Sequence, residues 1–273
     1  MKKKELKFKN LVVDLDSTLF NSEKQINKND FIAIQNFSKT GGNVYLASGR
    51  SVQATKHVGE HLQLTTPTIS FNGAHISKVE NQYSYFLTKK DIRIITEMAK
   101  FYQLELIFYS DKNMFIKQIT PLNKRWLADT PTFCNSLKKE TDFIVKNQNH
   151  ESLSNILKVV VLPNNLSNLN KMMKDLDDLN SFNLNFTERY IEVTHHLADK
   201  SNALMYLSKQ NQLDLNNTIA IGDNFNDLKM LSIVGLSIAV ENAQEKIKEK
   251  VDIIVKDNNS CGVAEAINNY AFK

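Results

Sequence analysis

The stretch Leu11-Val12-Val13-Asp14-Leu15-Asp16-Ser17-Thr18-Leu19 decides the reading of this chain, because an apolar strand runs straight into two acids one residue apart. Residues of a strand alternate faces, so a chain that stays extended to Asp16 turns both carboxylates the same way at the strand's carboxyl end. An open α/β sheet keeps its ligand site at that end. The pattern returns far downstream, where Ile219-Ala220-Ile221 leads into Gly222-Asp223-Asn224-Phe225-Asn226-Asp227.

Around the first acids, short apolar runs alternate with helical patterns, the mark of βαβ units and a parallel sheet. Phe31, Ile32, Ile34 and Phe37 fall at helical spacing within 29–39, and Gly41-Gly42 ends that helix before a second strand, 44–47. Ser48-Gly49-Arg50 closes the second strand, a helix is expected over 51–61, and a third strand, 68–71, runs into Asn72-Gly73-Ala74.

From about Tyr85 the texture changes. Helices are expected at 89–102 and 166–179 and strands at 105–109, 114–119, 157–162 and 182–186, an order that suits a mostly antiparallel sheet with helices on one face. The first texture resumes after Glu188, with strands at 190–194, 218–221, 236–239 and 252–255 and helices at 200–209 and 226–231. The fold class is therefore α/β, a discontinuous parallel-sheet domain closing around one sheet, with an α+β insert seated above its carboxyl ends as a lid.

Composition narrows the function. With 273 residues of which 42% are hydrophobic, the chain has ample material for a core. Lys and Arg total 34 against 30 Asp and Glu, so a net charge of +4 spread along the sequence does not imply nucleic-acid binding. The basic start Met1-Lys2-Lys3-Lys4 is read as a solvated terminus, since the apolar run that follows is too short for a signal peptide. Ile233 to Val240 is strand-sized, far below the roughly 18 residues of a membrane helix. Cys134 and Cys261 belong to no CxxC pair, which points away from a disulfide framework or a zinc site. The expectation is a soluble cytoplasmic protein with neither a membrane nor a nucleic-acid partner.

Two acidic clusters converging on one sheet edge make a hard-oxygen site suited to Mg²⁺. Either cluster alone is read equally well as a set of helix N-caps, because Asp and Asn are preferred there and complement the helix dipole. Ser48-Gly49-Arg50 offers a hydroxyl, a flexible glycine and a helix start to an anion, and Lys200 offers a point charge for phosphate. A Ser-Gly pair is more often a turn, and a lone Lys more often a solvated side chain.

In order, Asp14-x-Asp16-x-Thr18, Ser48-Gly49-Arg50, Lys200 and Gly222-Asp223-x-x-Asn226-Asp227 resemble the four motifs of the haloacid dehalogenase superfamily. Asn72-Gly73-Ala74, the long insert and the tail from Ala239 through Asn242-Ala243 to Gly262-Val263-Ala264 resemble its Cof-type branch, whose cap is of type IIB. The resemblance implies a Rossmann-like catalytic core over 1–84 and 188–273 and an inserted substrate-specificity cap over 85–187, with hinges near Tyr85 and Glu188.

It further implies a Mg²⁺-dependent phosphatase of small phosphorylated metabolites (sugar phosphates, nucleotides or phosphorylated cofactors), acting as a monomer or weak homodimer. Asp14 would be the nucleophile that forms an aspartyl-phosphate, and Asp16 the general acid/base. Asp14, the backbone carbonyl of Asp16 and Asp223 would hold the metal. Ser48, the Gly49 amide, Lys200 and Asn226 would bind phosphoryl oxygens, with Thr18, Arg50 and Asp227 in support. A sugar phosphomutase, or a non-catalytic sensor of a phosphorylated ligand, is the alternative.

Three residues depart from the family pattern: Ser17 and Ser201 stand where glycine is usual, and Phe225 puts a bulky aromatic inside the fourth motif. His195 and His196 are read as rim or structural residues, since Mg²⁺ does not favour imidazole. Phe101, Tyr102, Phe108, Tyr109, Phe115 and Trp126 are expected to build the insert's core, with Arg125 and Asp129 as candidates to face substrate.

Overall fold

A computed structural model describes residues 5–117, 120–129, 153–187 and 189–273, with backbone alone at 126–129. Cys134, Glu188 and the side chains of Trp126 and Asp129 lie outside the described residues.

Two sheets organise the chain. The larger has eight strands in the order β13-β12-β11-β1-β2-β3-β4-β5. Its strands are β1 (Asn10–Val13), β2 (Asn43–Ala47), β3 (Thr68–Ser70), β4 (His75–Ser77), β5 (Tyr83–Ser84), β11 (Thr218–Gly222), β12 (Leu236–Val240) and β13 (Ile253–Val255). The six strands from β13 to β3 are parallel, and β4 and β5 add an antiparallel edge that the sequence had not suggested. Every residue of β1 and β11 is buried, as expected for parallel strands covered on both faces.

Helices α1 (Lys28–Lys39), α2 (Val52–His61), α6 (Lys200–Lys209), α7 (Leu228–Leu231), α8 (Glu245–Lys248) and α9 (Gly262–Tyr270) cover that sheet, α1 packing on α9 and α6 on α7. From β1 the chain winds through β2 to β3 on one side; when it returns, β11, β12 and β13 extend the sheet on the other. The winding direction therefore reverses between β1 and β11, which pair directly with Val12 opposite Ala220. A crevice opens at such a reversal, at the strands' carboxyl ends. Both acidic clusters lead out of these two strands.

The smaller sheet is antiparallel throughout, in the order β7-β6-β8-β10-β9. It comprises β6 (Glu105–Tyr109), β7 (Met114–Ile116), β8 (Lys158–Leu162), β9 (Phe182–Phe186) and β10 (Ile191–His195). One face packs on α3 (Lys89–Phe101) and α5 (Leu166–Asp178) through Ile95, Val159, Val161, Met172 and Val193. The other face sets Ile107, Tyr109, Val160 and Leu162 against Phe71, Ala74 and Ala198 of the larger unit. The helix α4 (Pro121–Asp129) follows β7. This is the inserted cap.

One expectation fails here. The strand expected at 190–194 in the returning core half is β10, and it pairs with β8 and β9 in the cap sheet. A β-branched run announces a strand without naming its sheet; here the facing partners on β8 and β9 decide. Phe101 also departs from expectation: it is 77% exposed at the end of α3, while Phe108 and Tyr109 are buried.

Candidate active site

Asp14 is the first residue past β1 and still extended, at φ −70° and ψ 158°. Its backbone N–H donates to the Ile221 carbonyl at 3.0 Å, which ties the first acidic loop to β11. The chain then turns sharply, with Ser17 at φ 61° in the left-handed region that favours glycine. Ser17 thus carries backbone strain that the usual glycine avoids. Asn242 Nδ2 donates to the Ser17 carbonyl at 2.7 Å and steadies the turn from the far side.

The second cluster is built by hydrogen bonds of its own. One oxygen of Asp227, Oδ2, accepts the N–H groups of Asp223 and Asn224 at 3.1 and 3.2 Å. A Cβ at Gly222 would stand 2.7 Å from the Asp227 carboxyl carbon, so only glycine admits this acid so close to the end of β11. Phe225 points outward, 51% exposed, and does not intrude.

Lys200 joins the two clusters. Its Nζ donates to Asp14 Oδ1 and to Asp227 Oδ1, both at 2.6 Å, and all three side chains are buried. Asp199 caps α6, accepting the N–H and hydroxyl of Ser201 at 2.7 and 2.6 Å, so Ser201 at a usual glycine position adds to the cap. Thr18 Oγ1 donates to Asp223 Oδ1 at 3.0 Å.

Asp14, Asp223 and Asp227 each bring a carboxylate oxygen within 4.8 Å of the others. Three carboxylates face one ammonium, an unbalanced charge that a divalent cation would offset. The titration behaviour follows. Burial, reinforced by Asp227 and Asp223 against the pull of Lys200, raises the Asp14 pKa well above the carboxylate range. Burial and the Asp227 charge push Asp223 up to about 7. Burial works against the charge of Lys200, yet Asp14 and Asp227 raise its pKa above the ordinary lysine value.

Asp16 sits apart. Arg50 grips it through Nε to Oδ2 at 2.8 Å and Nη2 to Oδ1 at 2.7 Å. Burial works to raise the Asp16 pKa, but the Arg50 hydrogen bonds and charge, with Lys24 beyond, outweigh it and hold the carboxyl below its usual range. Ser48 is buried, and its Oγ accepts the Arg50 N–H at 3.1 Å, which leaves the hydroxyl hydrogen to donate. Asn226 donates through Nδ2 to Asn72 Oδ1 at 3.0 Å.

The expected site residues therefore gather at one crevice from four strand ends or helix starts. His195 stacks between Tyr85 and His196, at 5.3 and 4.3 Å, outside the acidic group. Arg125 is exposed on α4. Sequence reasoning missed Asn242 and Gln244, whose N–H donates to the Asp223 carbonyl at 3.1 Å, although the tail motif containing Asn242 was visible.

Comparison with known proteins agrees with this geometry. The family model for haloacid dehalogenase-like hydrolases matches residues 11–267, and the chain belongs to that family. Among curated relatives, 5-amino-6-(5-phospho-D-ribitylamino)uracil phosphatase YcsE of Bacillus subtilis is 25% identical over 99% of this chain and 98% of its own. Among solved structures, TM0651 from Thermotoga maritima superposes with a TM-score of 0.84 at 25% identity, covering 97% of this chain and 98% of that one. The subclass IIB sugar phosphatase BT4131 shares the fold with a TM-score of 0.79 at 18% identity over 96% of this chain and 98% of its own. Within the family, the mostly parallel core with its inserted antiparallel cap is the Cof-type, subclass IIB architecture.

Proposed function

We propose that this chain, a phosphatase of the haloacid dehalogenase-like family, hydrolyses small phosphorylated metabolites in a Mg²⁺-dependent reaction through an aspartyl-phosphate on Asp14. The observation that carries the reading is the cluster of Asp14, Asp223 and Asp227 around the single ammonium of Lys200. A set of hard carboxylate oxygens with excess negative charge suits Mg²⁺. Asp227 spends one oxygen on Lys200 and the other on two backbone N–H groups, so Asp14, Asp223 and the Asp16 carbonyl are assigned as metal ligands and Asp227 as their support. The bound cation would supply charge compensation that lets an anionic nucleophile approach an anionic ester.

This chain's own groups do the rest. Lys200 fixes one oxygen of Asp14, leaving the other to attack phosphorus in line; the P–O ester bond breaks and the leaving oxygen takes a proton from Asp16. Water then attacks the phosphorus of the aspartyl-phosphate, gives its proton to Asp16, and releases phosphate and Asp14. The ion pair with Arg50 keeps Asp16 ionised, a state suited to the second half-reaction, so Arg50 must let go of Asp16 before the first. Ser48, the Gly49 N–H, Lys200 and Asn226 are assigned to the phosphoryl oxygens, with Thr18 holding Asp223.

We divide the chain into a core of 1–84 and 196–273 and a cap of 85–195, because β10 belongs to the cap sheet. Substrate choice is assigned to the cap, whose buried face looks onto the crevice side of the core.

Phosphate release from a panel of sugar phosphates, nucleotides and phosphorylated cofactors, with Mg²⁺ and with EDTA, tests the proposal. Release that EDTA abolishes supports it. No release from any ester, or isomer formation from hexose phosphates in its place, contradicts it.

A further inference from the structure

The motif Asn72-Gly73-Ala74 packs against the Ser48-Gly49-Arg50 loop. It forms the turn after β3, and its backbone is costly: Phe71 and Asn72 stand at φ 50° and 54°, the left-handed region, where a bulky aromatic is rare. The turn persists because both N–H groups are tied to the phosphate loop, Phe71 to the Arg50 carbonyl and Asn72 to the Ser48 carbonyl, each at 2.9 Å. This conformation drives the buried side chain of Asn72 between core and cap.

Both ends of the Asn72 amide are used. Nδ2 donates to Glu192 Oε2 of the cap strand β10 at 3.1 Å, and Oδ1 accepts from Asn226 Nδ2 at 3.0 Å. A Cβ at Gly49 would lie 2.9 Å from Asn72 Oδ1 and would push the amide out of this position. Glu192 is buried and otherwise held by cap residues: Lys158 Nζ on Oε1 at 2.7 Å and Asn185 Nδ2 on Oε2 at 3.1 Å. Lys158 also donates to the Gly49 carbonyl at 3.0 Å, so the cap touches the phosphate loop directly as well as the Asn72 turn beside it.

The chain of bonds has a direction. A carboxylate only accepts, so Glu192 compels Asn72 to turn its NH₂ toward the cap and its oxygen toward Asn226. Asn226 must then turn its own NH₂ inward, and its Oδ1 is left buried with no partner among the described residues. One cap carboxylate thereby fixes the orientation of two amides, the second of which is the assigned phosphate ligand. An amide nitrogen carries two N–H groups; one is spent on Asn72, and the other remains for a phosphoryl oxygen.

We propose that Glu192 and Asn72 are positioning residues: with the cap closed they orient the Asn226 amide so that it presents N–H, and not its oxygen, to the phosphoryl group. The inference rests on the assignment of Asn226 to phosphate given above. It makes cap closure and phosphate binding one event, because the amide is aimed only while Glu192 is in place.

The test is titration calorimetry of inorganic phosphate with Mg²⁺, beside kinetics on p-nitrophenyl phosphate, for the wild type, E192Q, N72A and N72A/E192Q. Each single variant should weaken phosphate binding and lower kcat/KM roughly tenfold, the scale of one charge-linked hydrogen bond. The double variant should be no worse than N72A, because the residues act in series. Effects that multiply in the double variant would overturn the inference. So would unchanged phosphate binding in E192Q with loss confined to bulkier esters, which would make Glu192 a reader of the leaving group. E192Q is isosteric, so it decides alone if N72A does not fold. A wild type that binds phosphate without turnover contradicts the proposed function and leaves the calorimetric comparison intact; one that binds none contradicts both.

Discussion

Two buried clusters of charge among the described residues are built on opposite principles. In the crevice of the core, three carboxylates surround the ammonium of Lys200, and Asp14 and Asp223 titrate high because they are buried and face one another and Asp227. Against the cap, Glu192 meets Lys158 one to one, and Asn72, Asn185 and the Gly49 carbonyl satisfy what the pair leaves over. A balanced, fully bonded pair can stay closed without a ligand. An unbalanced set calls for a cation and is tuned for chemistry. On the proposed function, the difference separates the part that reacts from the part that holds the cap in register.

Breaking each cluster should give different kinds of loss. D14N, which keeps shape and removes the nucleophile, should lower phosphate release by at least about 10³-fold, measured at saturating ester with Mg²⁺. K158M should instead act on stability, costing about 3 kcal/mol in denaturant melts by stranding Glu192, while K158M/E192L should recover most of that cost. Recovery in the double variant separates a stabilising pair from one whose loss is merely left uncompensated.

The crevice acids also set a pH dependence. Asp223 titrates near 7 when folded and about 4 when unfolded, so between those values the folded state binds more protons. Stability of the metal-free protein should therefore fall as pH rises from about 4 to about 7, and Asp14 pulls the same way. Thermal melts in EDTA should show that slope, D223N should flatten it, and Mg²⁺ should reverse it by favouring the ionised acids. S17G should give the smallest effect, a gain of about 1 kcal/mol or less, since relief of the φ 61° strain is partly offset by a freer unfolded chain.

The two clusters also differ in how far the sequence revealed them. Asp14, Asp16, Asp223 and Asp227 each follow a short apolar run, and the strand-to-acid step is local enough to be read from a dozen residues. Lys200 and Ser48 needed the order of the motifs. Glu192 and Lys158 lie inside β-branched runs, where their spacing says only that a strand is present, and their pairing depends on β8 and β10 becoming neighbours. For the same reason β10 was expected in the wrong sheet. Asn72 was visible as part of a motif, yet its partners lie 120 and 154 residues away, at Glu192 and Asn226. What the sequence hid was set by long-range packing, not by local preference.

On the proposed function, Asp14 becomes covalently phosphorylated during turnover. Acid quenching of wild-type protein in the steady state with Mg²⁺ and a hydrolysed ester, followed by peptide mass analysis, tests it directly. A phosphoryl group on the peptide containing Asp14, absent with EDTA and absent in D14N, is the predicted result. Unmodified Asp14 together with undiminished phosphate release by D14N would contradict it.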